Sequence, residues 1–162
     1  MAPDSDPGVR PVPPFHVRQL TIEDGLTLAT LPQPGAWQVY DALEPFPPDQ
    51  GYWAVADSAD ALLGFCCLGE PARAAGATGD PAVLDIAIGI RPDLSGQGWG
   101  GELGRAAVSY ARSVALDRRL RTTVPEWNTV GLRVAEQSGF VRSGTIALSG
   151  YQYVVLEQPG MP

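Results

Sequence analysis

The sequence predicts a single mixed α/β (α+β) domain, and three observations predict it. An eight-residue strand pattern, Val83 to Ile90, leads through the glycine-rich stretch Leu94-Ser95-Gly96-Gln97-Gly98-Trp99-Gly100-Gly101 into an apolar-periodic helix pattern. Strand and helix patterns alternate on both sides of that unit, with no internal repeat. The chain has 162 residues, 44% of them hydrophobic, which suffices for one domain with a proper core and is too short for a two-domain dehydrogenase.

Met1 to Pro14, with Pro3, Pro7, Pro11, Pro13 and Pro14, has no apolar h-region and reads as a disordered lead-in, not a signal peptide. His16 to Ile22 reads as a first strand, and Glu23 to Leu31 as a helix with acids in its first turn. Pro32, Pro34 and Gly35 break it; Ala36 to Leu43 reads as a second short helix and Glu44 to Gly51 as an irregular loop. Tyr52 to Ala56 and Ala61 to Leu68 form a hairpin through Asp57 to Asp60, and Glu70 to Ala82 is a long loop.

In the strand Val83 to Ile90, Leu84, Ile86, Ile88 and Ile90 form one apolar face; Val83, Asp85, Ala87 and Gly89 form a small second face, suited to a cleft or to close packing. In the next helix, Glu102 to Leu116, Leu103, Ala106, Ala107, Tyr110, Ala111, Val114 and Ala115 recur at helical spacing, and Arg118 and Arg119 complement the macrodipole at its end. Leu120 to Val124 is a short strand. Asn128 suits the N-cap of a last helix that Gly139 ends; Gly131 inside it costs roughly 1 kcal/mol relative to Ala. Phe140 to Leu148 and Gly150 to Glu157 are closing strands.

Glycines at a strand-to-helix junction let the backbone approach a ligand, and free N–H groups at the helix start favour an anion, so the expected ligand is phosphorylated. A P-loop is excluded: Gly101 and Glu102 follow Gly100, and all eleven basic residues of the chain are arginine. Gly96, Gly98 and Gly101 spell the dinucleotide pattern, with Asp117 at about the right distance. Arg91 to Ser95 nevertheless separate strand from turn, and Asp117 precedes the next strand where the dinucleotide fold needs an acid after it.

Strand, Arg91-Pro92-Asp93, glycine turn, helix, strand and Asn128-led helix together resemble the acetyl-CoA core of the GNAT N-acetyltransferase superfamily. Ser95-x-x-Gly98-x-Gly100 aligns with its R/Q-x-x-G-x-G/A pattern, with serine in the first position. Asn128, Gly131, Ala135, Gly139 and Phe140 align with its second block, with Ala135 where many members carry a tyrosine that protonates the leaving thiolate. The resemblance covers residues 82 to 142 well. It implies a GNAT-like mixed, mostly antiparallel sheet with a splayed central parallel strand pair and flanking helices, in one acetyltransferase-like domain over residues 15–158. It also implies acetyl-CoA as cosubstrate, its phosphates on Ser95, Gly96, Gln97, Gly98, Trp99, Gly100 and Gly101, and its pantetheine arm beside Ile88, Ile90 and Asn128. Trp99 covers the cofactor or packs on the core.

Charge divides along the chain. Residues 1–85 carry three arginines against twelve carboxylates, a balance of −9, and residues 86–162 carry eight against six, +2; the whole is −7. The acidic half suits a cationic amine or simply solubility, and the balance disfavours sequence-independent nucleic-acid binding. No apolar run approaches the ~18 residues of a membrane span. His16 is the only histidine and no cluster has metal-ligand spacing, so no metal is expected; adjacent Cys66 and Cys67 are unlikely to bridge and fit a reducing cytoplasm.

The resemblance implies direct attack of a small-molecule or peptide amine on the thioester. Asp85 or Glu70 is the candidate base, directly or through water, provided burial raises its pKa. Tyr151 is the candidate acid, with Tyr153 and Tyr110 the other available tyrosines; an acid is dispensable for a leaving thiolate whose thiol resembles cysteine. Three classes follow: an N-acetyltransferase, a non-catalytic CoA-binding regulatory module, and a nicotinamide-dinucleotide binder. Acceptor identity is open, with selectivity expected from Ala36 to Gly51 and the last hairpin. A homodimer is the association considered.

Overall fold

The structure, a computed structural model, describes residues 10–31, 50–74, 77–148 and 150–160. Within them seven strands form one sheet: β1 (His16–Gln19), β2 (Tyr52–Ala56), β3 (Leu62–Leu68), β4 (Val83–Ile90), β5 (Arg119–Pro125), β6 (Val141–Leu148) and β7 (Tyr151–Gln158), in the order β1-β2-β3-β4-β5-β7-β6. Every neighbouring pair is antiparallel except β4 and β5. Three helices flank the sheet: α1 (Ile22–Thr30), α2 (Gly100–Val114) and α3 (Thr129–Gln137). The mixed, mostly antiparallel architecture with one central parallel pair is therefore present. The expected helix Ala36 to Leu43 and most of the loop Glu44 to Gly51 lie outside the described residues.

Helix ends follow local chemistry. Thr21 and Asp24 form a reciprocal capping box on α1, so that helix starts at Ile22, one residue before the expected Glu23. Asn128 Oδ1 accepts from Gly131 N at 2.7 Å and caps α3. Gly139, at φ 97°, ends α3 in a Schellman turn: Phe140 N donates to Ala135 O and Gly139 N to Glu136 O. A side chain at Gly131 is excluded by that cap, because its Cβ would fall 2.6 Å from Asn128 Nδ2.

The two faces of the sheet bury separate clusters. Leu103, Ala107 and Ala111 of α2 and Leu132 and Ala135 of α3 pack with Val55, Ile86, Leu120 and Leu156 on one face. Leu28 of α1 packs with Leu20, Ala54 and Leu62 on the other. Tyr110 belongs to the first face, against Trp53 with ring centroids 4.8 Å apart. Gly104 lets α2 and α3 close together, since a Cβ there would meet Ser138 Oγ at 2.2 Å.

Two expectations are corrected. Residues assigned to the lead-in pack on the domain: Pro11 is buried, Val12 N donates to Asp57 Oδ2, and Ser58 N donates to Val12 O. Arg118 and Arg119 do not serve the end of α2. Arg118 Nη2 donates to Val83 O, Arg119 pairs with Glu157 and Asp80, and it is Arg112 whose Nη1 grips the connection at Arg118 O.

Candidate active site

The parting of β4 from β5 builds the site. Their parallel register runs Val83↔Arg119, Leu84↔Leu120, Asp85↔Arg121 and goes no further, while β4 stays paired to β3 through Ile90. Gly69 N donates to Asp85 O and Arg91 N to Leu63 O, so odd-numbered residues of β4 bond toward β3. Alternation then directs the N–H and C=O groups of Ile88 and Ile90 into the widening gap, where β5 offers them no partner. The side chains of Ile88 and Ile90 pack on the core cluster, so what these residues present to the gap is backbone. The opposite face of β4 is not an open cleft lining at Gly89, because a Cβ there would fall 2.2 Å from the Phe65 ring.

Beyond Ile90, a 3-10 turn (Pro92–Leu94) leads into the glycine stretch and α2. Gly96 and Gly98 take φ of 79° and 88°, and nothing lies within 4 Å of a Cβ added at either. The turn therefore exposes bare backbone, a cradle that fits a phosphate group. As the first turn of α2, Gly100, Gly101 and Glu102 have N–H groups without intrahelical acceptors. Ser95 and Gln97 are exposed, and Gln97 Nε2 donates to Asp93 O, bracing the turn. Trp99 packs against Phe15, centroids 5.8 Å apart. Gly100 is small for another reason: a Cβ would meet Val134 Cγ2 at 2.6 Å, so this glycine seats α2 on α3.

The candidate bases and acid are not gathered at one point. Asp85 is 3% exposed and fully engaged: Oδ1 accepts from Arg121 Nε at 2.6 Å, and Oδ2 accepts from Arg121 Nη2 at 3.0 Å and Arg73 Nε at 2.9 Å. Its hydrogen bonds hold Arg121 above the ordinary guanidinium value against the opposing effect of burial. A carboxylate so held is an ion-pair node with both oxygens engaged. Glu70 is exposed, just past β3 and next to the level of Asp85. Tyr151 is 49% exposed, two residues before Tyr153, which lies opposite Pro125. At ~3.3 Å per strand residue, Tyr151 stands roughly 20 Å along the sheet from the level of Asp85 and Arg121. Ala135 is buried in the core.

Burial pushes the thiols of Cys66 and Cys67 up to about 12, so neither is a nucleophile near neutrality. Among the described residues no group of His, Cys, Asp or Glu could hold a metal ion, and no helix is long and apolar enough to cross a membrane.

One arginine missed by the sequence reading flanks the glycine turn. Arg105 follows Gly101 by four residues, and helical side chains lean toward the N-terminus; its Nη1 lies 3.4 Å from where a Gly101 Cβ would be. Gln137 Oε1 lies 3.0 Å from the same point and also lines a groove along α3 that contains Arg133. The i, i+4 relation of Gly101 to Arg105 was the available signal.

A parallel strand pair thus parts beside a glycine-rich helix start. The family model described as "Acetyltransferase (GNAT) domain" matches residues 16–141, and the chain belongs to that family. Acetyl-CoA is accordingly its cosubstrate. A GNAT-family acetyltransferase from Bacillus anthracis superposes with a TM-score of 0.70 at 14% identity, over 91% of this chain and 96% of that one. Aminoglycoside acetyltransferase AAC(6')-Ib, solved with coenzyme A and kanamycin, gives 0.71 at 20% identity, over 90% and 95%. A variant of the spermidine N-acetyltransferase SpeG from Vibrio cholerae gives 0.61 at 16% identity, over 90% and 93%. Comparison with curated proteins finds no significant match.

Proposed function

We propose that the protein moves the acetyl group of acetyl-CoA to a primary amine of a small molecule or peptide by direct attack. The observation that carries this reading is the parting of β4 from β5 after Asp85 and Arg121, which leaves the backbone of Ile88 and Ile90 facing an open gap. Acetyl-CoA supplies an activated thioester carbonyl. Ile88 N–H donates to the carbonyl oxygen as negative charge builds on it, the role of a preorganised oxyanion donor. Ile90 and the remaining groups of Ile88 take the pantetheine amides as a neighbouring strand would. Backbone N–H groups of the turn Ser95 to Gly101 receive the diphosphate, and Asn128 fixes the first turn of α3 beside the arm.

Of the carboxylates, Glu70 is the one with free oxygens near the apex, and it removes the amine proton through water. Asp85 positions. The thiolate departs without an obligatory acid, so Ala135 does not abolish transfer; Tyr151 serves the acceptor side of the cleft. AAC(6')-Ib and SpeG are named for aminoglycoside and spermidine substrates, both polycationic amines, and the −9 balance of residues 1–85 suits a cationic acceptor. The free thiols of Cys66 and Cys67 suit a reducing cytoplasm.

A second reading, a CoA-binding module without turnover, is favoured by one observation: the tyrosine position is a core alanine. The test is calorimetric titration with acetyl-CoA, with NADH as control, followed by thiol release with polyamines, aminoglycosides, peptide amino termini and amino-acid-like amines. Saturable acetyl-CoA binding with release for at least one amine is expected. Binding without release for any amine favours the module, and absence of binding overturns both.

A further inference from the structure

Alternation places Asp85 on the face of β4 opposite Leu84 and Ile86, which pack with α2 and α3. The glycine turn opens α2 on that helical side, so a second substrate reaches the gap from the side of Asp85. There the register sets Asp85, Arg121 and Glu157 abreast, and the next row, Ala87, Thr123 and Val155, is uncharged and half-buried.

Two guanidiniums share the one carboxylate of Asp85, and their donors are not used up. Arg73 gives it only Nε, while Arg121 gives Nε and Nη2, the latter also bonding Thr78 O. Both Nη atoms of Arg73 and Nη1 of Arg121 have no hydrogen bond among the described residues. By contrast Arg18 and Arg91, ion-paired elsewhere, engage all three of their nitrogens. The side chains of Arg73 and Arg121 keep 27% and 20% exposure, so their free donors are reachable. The loop before β4 seats Arg73 closely, since a Cβ at Gly79 would fall 2.5 Å from its Cζ. Glu157 and Asp80, the other carboxylates that act on Arg121, pair with Arg119 at 3.5 and 3.9 Å. A local surplus of one positive charge, with free N–H groups in planar array, is suited to a carboxylate.

We propose that Arg73 and Arg121 form the recognition site for an anionic group of the acceptor, and that the acceptor is a small primary amine carrying its own carboxylate, as an amino acid does. The proposal rests on the acetyl-transfer reading above. Ile88 lies three residues beyond Asp85, ~10 Å along the strand, and a compact amino acid with a hydrogen bond at either end spans that interval. The −9 balance of residues 1–85 acts over the whole surface and draws in the ammonium, whereas the surplus at Asp85 orients the carboxylate.

The test is thiol release from acetyl-CoA with amino acids and ω-amino acids, each beside its carboxamide, and with spermidine. Wild type is expected to favour the best acid over its amide by about tenfold or more in kcat/KM. Arg73→Ala brings that ratio near one through KM, with kcat little changed; Arg121 still clasps Asp85 in this variant, so it is expected to fold. Arg73→Lys, which keeps the charge without the fork, retains part of the ratio. Arg142→Ala, which removes an arginine on the α3 side, leaves it unchanged. The matching acid without an amine should compete with the acceptor on wild type and not on Arg73→Ala. Equal turnover of acid and amide, a preference for spermidine, or an acid preference undiminished in Arg73→Ala or Arg73→Lys overturns the proposal while the transferase reading stands. Binding of acetyl-CoA without turnover of any amine would instead overturn the transfer reading, and this proposal with it.

Discussion

Arg121 closes on Asp85 across the last paired position of β4 and β5, its Nε 2.6 Å from one carboxylate oxygen and its Nη2 3.0 Å from the other. The pair therefore sits where the sheet opens, and Arg73 ties the preceding loop to the same carboxylate. Removing one member of a buried ion pair typically costs about 3–5 kcal/mol, because the partner stays buried without a counter-charge. Asp85→Asn is expected to lower stability by that order, read from the urea midpoint. Its pH profile of kcat/KM should keep the acidic limb of the wild type. Disappearance of that limb in a folded variant would return Asp85 to the role of base.

The glycines of the turn divide into two kinds. Gly98 needs a positive φ and borders open space, so Gly98→Ala should cost only about 1–2 kcal/mol of backbone strain while weakening acetyl-CoA binding through the distorted cradle. Gly100 borders Val134, so Gly100→Val should destabilise the whole domain by about 1–3 kcal/mol of overpacking, and Val134→Ala in the same chain should recover part of it. Thermal unfolding of the two single variants and the double variant reads this directly. Equal stability of Gly100→Val and wild type would contradict the α2–α3 contact.

That division also explains what was legible in the sequence. The N-cap of α3, the alternation of β4 and the helical spacing of α2 are local signals and were legible, whereas the capping box of α1 went unread and α2 takes in Gly100 and Gly101 ahead of the expected Glu102. The partners of Asp85 are not local: Arg73 and Arg121 stand 12 and 36 residues away, and no periodicity names them. Gly100 reads as a ligand glycine until Val134 arrives from another helix, and the reason for Gly104 appears only with Ser138 beside it. Arg105 goes unread because spacing records the position of a Cα and not the lean of a long side chain. The parting of β4 from β5 was expected from family resemblance, whereas its location after Asp85 follows only from register.

Cys66 and Cys67 bear on the order of chemical steps. With both thiols pushed up to about 12, only about one in a hundred thousand is ionised at pH 7, too little for an acetyl-cysteine route. The native protein should resist iodoacetamide and react at both thiols once unfolded in denaturant. A chain carrying both Cys66→Ala and Cys67→Ala, if folded, should retain turnover with its best amine. Abolished turnover with intact acetyl-CoA binding would argue against direct attack.

Asp57 makes acid stability predictable in sign. Burial raises its carboxyl, but backbone N–H donors at Val12, Ala61 and Ala59 outweigh that and hold it below the ordinary value. A folded value below the unfolded ~3.9 means that the ionised form favours the fold. The contribution is complete above that unfolded value and is lost as pH falls through the lower folded one. Asp57→Asn offers a single acceptor oxygen to three donors, so it should lose roughly 1.5–3 kcal/mol at pH 7. Below pH 5 its stability should fall less steeply than that of the wild type, since one group that takes up a proton on unfolding has been removed. Urea denaturation of both proteins between pH 7 and pH 3 measures the two slopes. Parallel slopes would mean that Asp57 is not held ionised by the turn, and that the anchoring of Val12 to the β2–β3 hairpin rests on packing of Pro11 instead.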